Sequence, residues 1–149
     1  MYQKAARYCS YQERTEKEVR DKLRALGVQD LAAEEALVQA LKADRFLDEA
    51  RYVAAFVRGK LALKQWGKRK IRAALTQKGL DPALVQAGLA TIAAADYRQA
   101  LQTVAARKRA QLPGIHLRQD QQKLTHYLLQ KGYEPELVHE VVQALLPTP

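Results

Sequence analysis

Along the whole chain apolar residues recur three or four positions apart, and nowhere do they alternate strictly with polar ones as a half-buried strand requires. Ala and Leu dominate, Gly and Pro are few, and strong helix formers fill nearly every segment. The pattern predicts nine helices, over 3–12, 15–26, 30–43, 48–64, 67–78, 81–94, 96–111, 120–131 and 134–145. The expected fold class is all-α.

The helices fall into a repeat. Val19-x-x-x-Leu23-x-x-x-Gly27-Val28 recurs as Ile71-x-x-x-Leu75-x-x-x-Gly79-Leu80 and as Leu124-x-x-x-Leu128-x-x-x-Gly132-Tyr133, so the three glycines are spaced by 52 and 53 residues. Eight residues before each central Leu stands a candidate N-cap: Thr15, Gly67 and Asp120. Thr15-Glu16-Lys17-Glu18 reads as a capping box, and each glycine reads as the left-handed residue that stops the helix. Asp81-Pro82 and Glu134-Pro135 then place Pro at the first position of a new helix, where its missing N–H costs nothing. Three three-helix repeats follow, over residues 1–46, 47–95 and 96–149. The joints Asp44–Asp48 and Ala94-Ala95-Asp96 contain no flexible linker, so the repeats are expected to abut in an elongated tandem array. The loop Gln111–His116 interrupts the third copy. The chain starts directly at the first repeat, with no N-terminal extension expected.

Charge sharpens this picture at one place. The formal net charge of +9 is uneven: residues 1–50 carry 9 basic and 10 acidic groups, 51–96 carry 9 and 2, and 97–149 carry 7 and 4. Between Ala50 and Leu80 stand Arg51, Arg58, Lys60, Lys64, Lys68, Arg69, Lys70, Arg72 and Lys78, without one Asp or Glu. A merely solvated helix face would interleave Glu for i,i+4 pairing, and here the pairing acids are absent. Helical geometry puts Arg69, Arg72 and Thr76 on one side of their helix, with Ile71 and Leu75 turned to the core. In the preceding helix Tyr52, Val53, Phe56, Val57 and Leu61 make an apolar stripe that leaves Arg51, Arg58, Lys60 and Lys64 outside it. The pattern suits a polyanion. Nucleic acid is the default partner, with an acidic protein surface or anionic lipid as competitors. The candidate contacts are Lys68, Arg69, Lys70 and Arg72, supported by Lys64, Arg51, Arg58 and Trp66. Trp66, beside Gly67 at a bend, either caps the core of its repeat or stacks on an exposed base.

Other chemistry finds little support. His116, His126 and His139 fall in no metal-ligand spacing, and Cys9 is the sole cysteine and reads as a small buried side chain. Gly67-Lys68 lacks the second glycine, the Ser or Thr and the preceding strand of a phosphate loop. Adjacent acids, Glu34-Glu35 and Asp48-Glu49, stand at helix beginnings and complement the macrodipole. No catalytic constellation, metal site or cofactor is expected, and the protein is read as a non-enzyme. A set of helix-turn-helix readers is disfavoured because residues 82–94, which would enter the major groove, carry no charge. With no signal peptide and no stretch of 18 uncharged apolar residues, a soluble, cytoplasmic protein without membrane contact is expected.

Three motifs in order carry a family likeness. Arg14-Thr15-x-x-Glu18-Val19-x-x-Lys22-Leu23-x-x-x-Gly27-Val28, then Phe46-Leu47-Asp48-Glu49-Ala50-Arg51-Tyr52-Val53, then Trp66-Gly67-Lys68-Arg69-Lys70-Ile71-Arg72-x-x-Leu75-x-x-x-Gly79-Leu80 resemble the RecX family, bacterial regulators of the RecA recombinase. The resemblance spans nearly the whole chain. It implies tandem three-helix repeats that lodge, as a monomer, in the groove of the RecA filament on single-stranded DNA and suppress its ATPase, strand-exchange and co-protease activities. Carried over by motif, Lys68, Arg69, Lys70 and Arg72 are the candidate filament contacts, with Arg51, Arg58 and Lys64 supporting. The third copy departs most from the pattern, with Lys123 and Lys131 its only cations near the motif and Arg107-Lys108-Arg109 on its first helix. The alternative reading is a stand-alone, sequence-independent nucleic-acid-binding repeat protein. An adaptor for some other acidic protein is a third.

Overall fold

The repeated Leu-x-x-x-Gly-apolar unit is a helix stop, and it organises the structure. In a computed structural model that describes all residues, 1–149, Gly27, Gly79 and Gly132 have φ of 103°, 80° and 101°, the left-handed region. At each of them the apolar residue after the glycine donates its N–H to the central Leu: Val28 to Leu23 at 3.0 Å, Leu80 to Leu75 at 3.3 Å and Tyr133 to Leu128 at 3.3 Å. The glycine N–H itself bonds the carbonyl three residues back, at 3.0 Å in all three copies. These are Schellman caps, which satisfy carbonyls that a helix end otherwise leaves orphaned.

Nine helices result and no strand: α1 (Tyr2–Tyr11), α2 (Glu16–Ala25), α3 (Leu31–Ala43), α4 (Glu49–Lys64), α5 (Lys68–Gln77), α6 (Pro82–Ala90), α7 (Ala94–Ala110), α8 (Leu117–Lys131) and α9 (Pro135–Leu145). They form three three-helix domains in tandem. The capping box is present as expected, with Glu18 N–H on Thr15 Oγ1 at 3.1 Å and the Glu18 carboxylate on the Thr15 N–H at 3.4 Å. Asp48 caps α4 by accepting the Arg51 N–H at 3.0 Å.

Two expected boundaries differ. The joint before the third repeat is not 94–96: α6 ends at Ala90, Thr91-Ile92-Ala93 makes the turn, and Asp96 becomes a first-turn acid of α7. The reason is apolar, because Ile92 leaves the helix and packs against the core formed by α7, α8 and α9. Asp120 is not the N-cap of α8, which starts earlier, at Leu117. Instead Asp120 is buried, and its carboxylate accepts the Gly114 N–H at 2.9 Å, closing the 111–116 loop. A carboxylate inside the first turn still meets the positive helix end while reaching back to the loop.

The chain divides into two compact units, residues 1–56 with 75–88, and residues 57–74 with 89–149. In the first, Ala5, Ala6 and Cys9 of α1 pack with Val19 and Leu23 of α2, Val38 and Leu41 of α3, and Leu47. In the second, Tyr97, Leu101, Val104 and Ala105 of α7 pack with Leu124 and Leu128 of α8 and with Tyr133, Val138, Val141 and Val142 around α9. The six apolar signature positions ahead of the glycines, Val19, Leu23, Ile71, Leu75, Leu124 and Leu128, have no exposed surface. Each buried side chain of this size contributes roughly 1.5–3 kcal/mol relative to exposure, which is why the motif recurs at these positions.

Candidate functional site

The start of α5 is held by backbone, not by a side-chain cap. Three of the four amides that a helix N-terminus leaves without an internal partner find one in the third repeat. Gly67 N–H donates to Lys131 O at 2.7 Å and Arg69 N–H to Gly132 O at 3.0 Å. Lys68 N–H donates to the Tyr97 hydroxyl at 2.9 Å, and that hydroxyl in turn donates to Glu134 Oε1 at 2.6 Å. The C-terminal carbonyls of α8 thus cap the N-terminus of α5, a meeting of opposite helix dipole ends. Only glycines permit it: a Cβ on Gly67 would lie 2.3 Å from the Gly132 carbonyl carbon, and one on Gly132 would lie 2.4 Å from Lys70 Cβ.

The end of α4 is fastened to the same turn. Lys131 Nζ donates to Lys64 O at 2.9 Å, and the Tyr133 hydroxyl donates to Gln65 O at 3.0 Å. Gln65 has φ of 52°, a left-handed conformation that costs a non-glycine residue about 1 kcal/mol and that these contacts sustain. The Tyr97 and Tyr133 rings pack with centroids 5.4 Å apart and planes tilted by 36°. Burial raises the pKa of both phenols, and the Glu134 carboxylate adds to it by hydrogen bond at Tyr97 and by charge at Tyr133, which is pushed up to about 12. Both stay protonated donors at any physiological pH.

This framework presents the cations. Arg58, Lys64, Arg69, Lys70 and Arg72 are exposed, while Ile71 on the opposite side of α5 is fully buried. Arg58, Lys64, Lys68, Arg69 and Lys70 have no carboxylate within ion-pair distance. In the first repeat, by contrast, five of the nine basic residues, Arg14, Lys17, Arg20, Arg24 and Lys42, are paired with acids. The unit holding residues 57–74 and 89–149 has 14 basic and 5 acidic residues, and the other unit has 11 of each. The entire net charge of the chain therefore resides in one unit.

The predicted residues separate into distinct roles. Arg69 and Lys70 line one open groove with Leu129 and Gln130 at the end of α8, Gly132 in the turn and Pro135 at the start of α9. Trp66 is half-buried, with the Lys60 and Lys70 ammonium groups 4.8 and 4.6 Å from its ring centroid. Lys68 is half-buried and places its ammonium 4.7 Å from the Tyr97 ring, so it reinforces the joint as well as the charge. Arg51 belongs to the other unit, where its guanidinium is taken up by Glu13 at 2.7 Å and by the carbonyls of Arg45 at 3.0 Å and Phe46 at 3.4 Å. It serves as a structural tie there. Sequence reasoning missed Lys131, Gly132, Tyr97 and Glu134 as parts of this site. The one available signal was the recurrence of Gly132 in the repeat, which marks a turn but not what packs on it.

Three models of one family match successive parts of the chain: RecX first three-helix domain over residues 2–39, second over 48–89 and third over 95–142. A curated relative, the regulatory protein RecX of Lactobacillus delbrueckii subsp. bulgaricus, is 34% identical over 143 residues, covering 96% of this chain and 52% of the relative. The regulatory protein RecX of Clostridium botulinum is 33% identical over 135 residues, covering 87% of this chain and 61% of its own length. The chain spans little more than half the length of these relatives. The crystal structure of RecX from Lactobacillus salivarius superposes with a TM-score of 0.88 at 26% identity, covering 97% of this chain and 93% of that one. No helix is long and apolar enough to cross a membrane. With all three domain models in tandem order and a matching solved fold, the chain belongs to the RecX family of regulatory proteins.

Proposed function

We propose that this chain regulates a RecA-type recombinase, mainly as an inhibitor. It acts as a monomeric binding protein that engages the recombinase filament on single-stranded DNA and lowers its ATPase, strand-exchange and co-protease activities. Arg69, Lys70 and Arg72 of α5 make the filament contact, with Lys68, Lys64, Arg58 and Trp66 around them. The observation that carries this reading is the acid-free cationic face of α5, fixed in place by the joint between Gly67 and Gly132, in a chain whose family is one of regulators. Because the α5 amides are already bonded to Lys131, Tyr97 and Gly132, the anion is met by side chains rather than by the helix N-terminus. Titrating the chain into single-strand-dependent ATP hydrolysis by the cognate recombinase tests the reading, and unchanged turnover across a broad titration overturns it.

A second reading, a stand-alone nucleic-acid binder, draws on the concentration of all net charge in one unit. Salt dependence separates the two. A stand-alone binder holds bare strand as tightly as filament, with a steep slope set by the phosphates it neutralises. A filament regulator prefers the filament and loses less affinity as salt rises.

A further inference from the structure

The even charge count of the first repeat conceals a second basic surface. Lys4, Arg7, Tyr8 and Tyr11 of α1, Arg14 in the following joint and Lys22 of α2 line one shallow cleft, and no acidic residue lines it. The acids flanking Arg14 in sequence are engaged: Glu13 by Arg51 at 2.7 Å, and Glu18 by the capping box and by Arg14 at 3.9 Å. Lys4 and Arg7 are exposed and have no ion-pair partner.

The two tyrosines differ in a telling way. The Tyr8 ring is covered, with the Arg14 guanidinium 3.8 Å and the Lys22 ammonium 5.3 Å from its centroid. Tyr11 is 86% exposed, and no hydrogen bond or ring contact occupies it. Folding gains almost nothing from a ring held in that state, yet it stands at the rim of a cleft whose other charged members are all cations. Single-stranded nucleic acid uses such a surface fully, because bases stack on an open aromatic face while cations pair the phosphates. An acidic polypeptide would use the cations and leave the ring idle.

We propose that the α1–α2 cleft is a binding site for single-stranded nucleic acid, with Tyr11 as the stacking residue and Lys4 and Arg7 as phosphate contacts. It is separate from the α5 face and requires no recombinase. The test uses the full chain and a fluorescein-labelled, mixed-sequence single-stranded DNA, read by anisotropy without recombinase. Tyr11→Ala weakens binding at least about fivefold, whereas Tyr11→Phe keeps it, since only the ring face is needed. The double variant Lys4→Gln, Arg7→Gln lowers the salt slope by about 1.4, at roughly 0.7 for each phosphate no longer neutralised. A strand carrying 5-bromouracil photo-crosslinks to the peptide containing Tyr11. Unchanged affinity of Tyr11→Ala, or crosslinks confined to residues 57–74 and 89–149, overturns the proposal. Loss of polyglutamate binding in the Lys4, Arg7 variant with Tyr11→Ala indifferent also overturns it, in favour of an acidic protein partner. Recombinase inhibition is read separately, so Tyr11→Ala can fail here while the filament reading stands, or the reverse.

Discussion

Gly67 and Gly132 meet backbone to backbone, so closely that a Cβ on the first would lie 2.3 Å from the carbonyl carbon of the second. Their approach lets the last carbonyls of α8 cap the first amides of α5, with Gly67 N–H 2.7 Å from Lys131 O. A helix bearing four cations in its first five residues is thereby anchored where a side-chain cap would have had to share space with them.

Gly67→Ala is expected to cost about 3 kcal/mol or more, because the clash is with backbone and cannot be relieved by a rotamer change. Gly59→Ala in α4 is the control. Its Cβ meets nothing within 4 Å, and the gain in helix propensity is worth up to about 1 kcal/mol. Urea denaturation midpoints of the two variants check the contrast, and equal stability of Gly67→Ala and the parent would refute it.

Replacing Lys68, Arg69, Lys70 and Arg72 together by Gln is expected to leave helicity nearly intact, since Gln is a good helix former. Inhibition of the recombinase ATPase should then require about tenfold more protein or greater, because up to four anionic groups of the filament go without a cation. Circular dichroism and the ATPase titration are read on the same samples. Full inhibition with intact helicity would move the filament-binding surface to another face.

Tyr97→Phe removes a hydroxyl that both accepts the Lys68 N–H at 2.9 Å and donates to Glu134 at 2.6 Å. Two half-buried partners lose their bond, and the expected cost is about 1–3 kcal/mol. Thermal melts measure it. A loss below the cost of an ordinary exposed hydrogen bond would mean that water replaces the hydroxyl.

Alkaline pH weakens the same joint. The unfolded chain releases a phenolic proton near pH 10, while burial and the Glu134 charge keep Tyr133 protonated to about 12 in the fold. The unfolded state then binds fewer protons than the native one, so stability falls as pH rises. The contribution is complete below pH 10 and lost progressively up to about 12, on the order of 3 kcal/mol for Tyr133. Tyr97 is shifted in the same direction, with burial the larger cause and the Glu134 hydrogen bond next. Denaturation midpoints between pH 8 and 12 follow the decline, and Tyr133→Phe should make it shallower without abolishing it, since Tyr97 remains.

Glu34 is a buried carboxylate, 2% exposed, forked by Arg24 at 3.1 and 3.3 Å and approached by Arg20 at 3.5 Å. Breaking a fully buried pair costs about 3–5 kcal/mol, but both arginines reach solvent and can rehydrate, so Glu34→Ala is expected to cost about 1–3 kcal/mol. Glu35→Ala, at an exposed position, should leave the melting temperature nearly unchanged. Similar melts for the two variants would contradict this ranking.

Much of the fold was legible from local chemistry. The capping box at Thr15, the left-handed glycines and the prolines after them act within a few residues, so their outcome is written in adjacent positions. The apolar period determined which side of α5 is buried, and the absence of acids between Ala50 and Leu80 determined that its other side stays cationic. Where an apolar side chain could either extend a helix or turn into a core, as at Ile92, periodicity alone misplaced the boundary.

What the tertiary structure decided concerns residues far apart in the chain. The amino-acid sequence by itself determined the three repeats, their helix stops and the location of the acid-free cationic stretch. Only the fold revealed that Gly67 is a contact glycine as well as a helix start, that Asp120 holds a loop rather than a helix end, and that Arg51 is spent on Glu13. Only the fold, too, separated an idle Tyr11 from a covered Tyr8 three residues away. The physical reason is the range of the interactions. Backbone propensity and capping are settled within one helical turn, whereas the hydrogen bonds that fix the start of α5 and the end of α4 join residues 29 to 68 positions apart and exist only once the third repeat has packed.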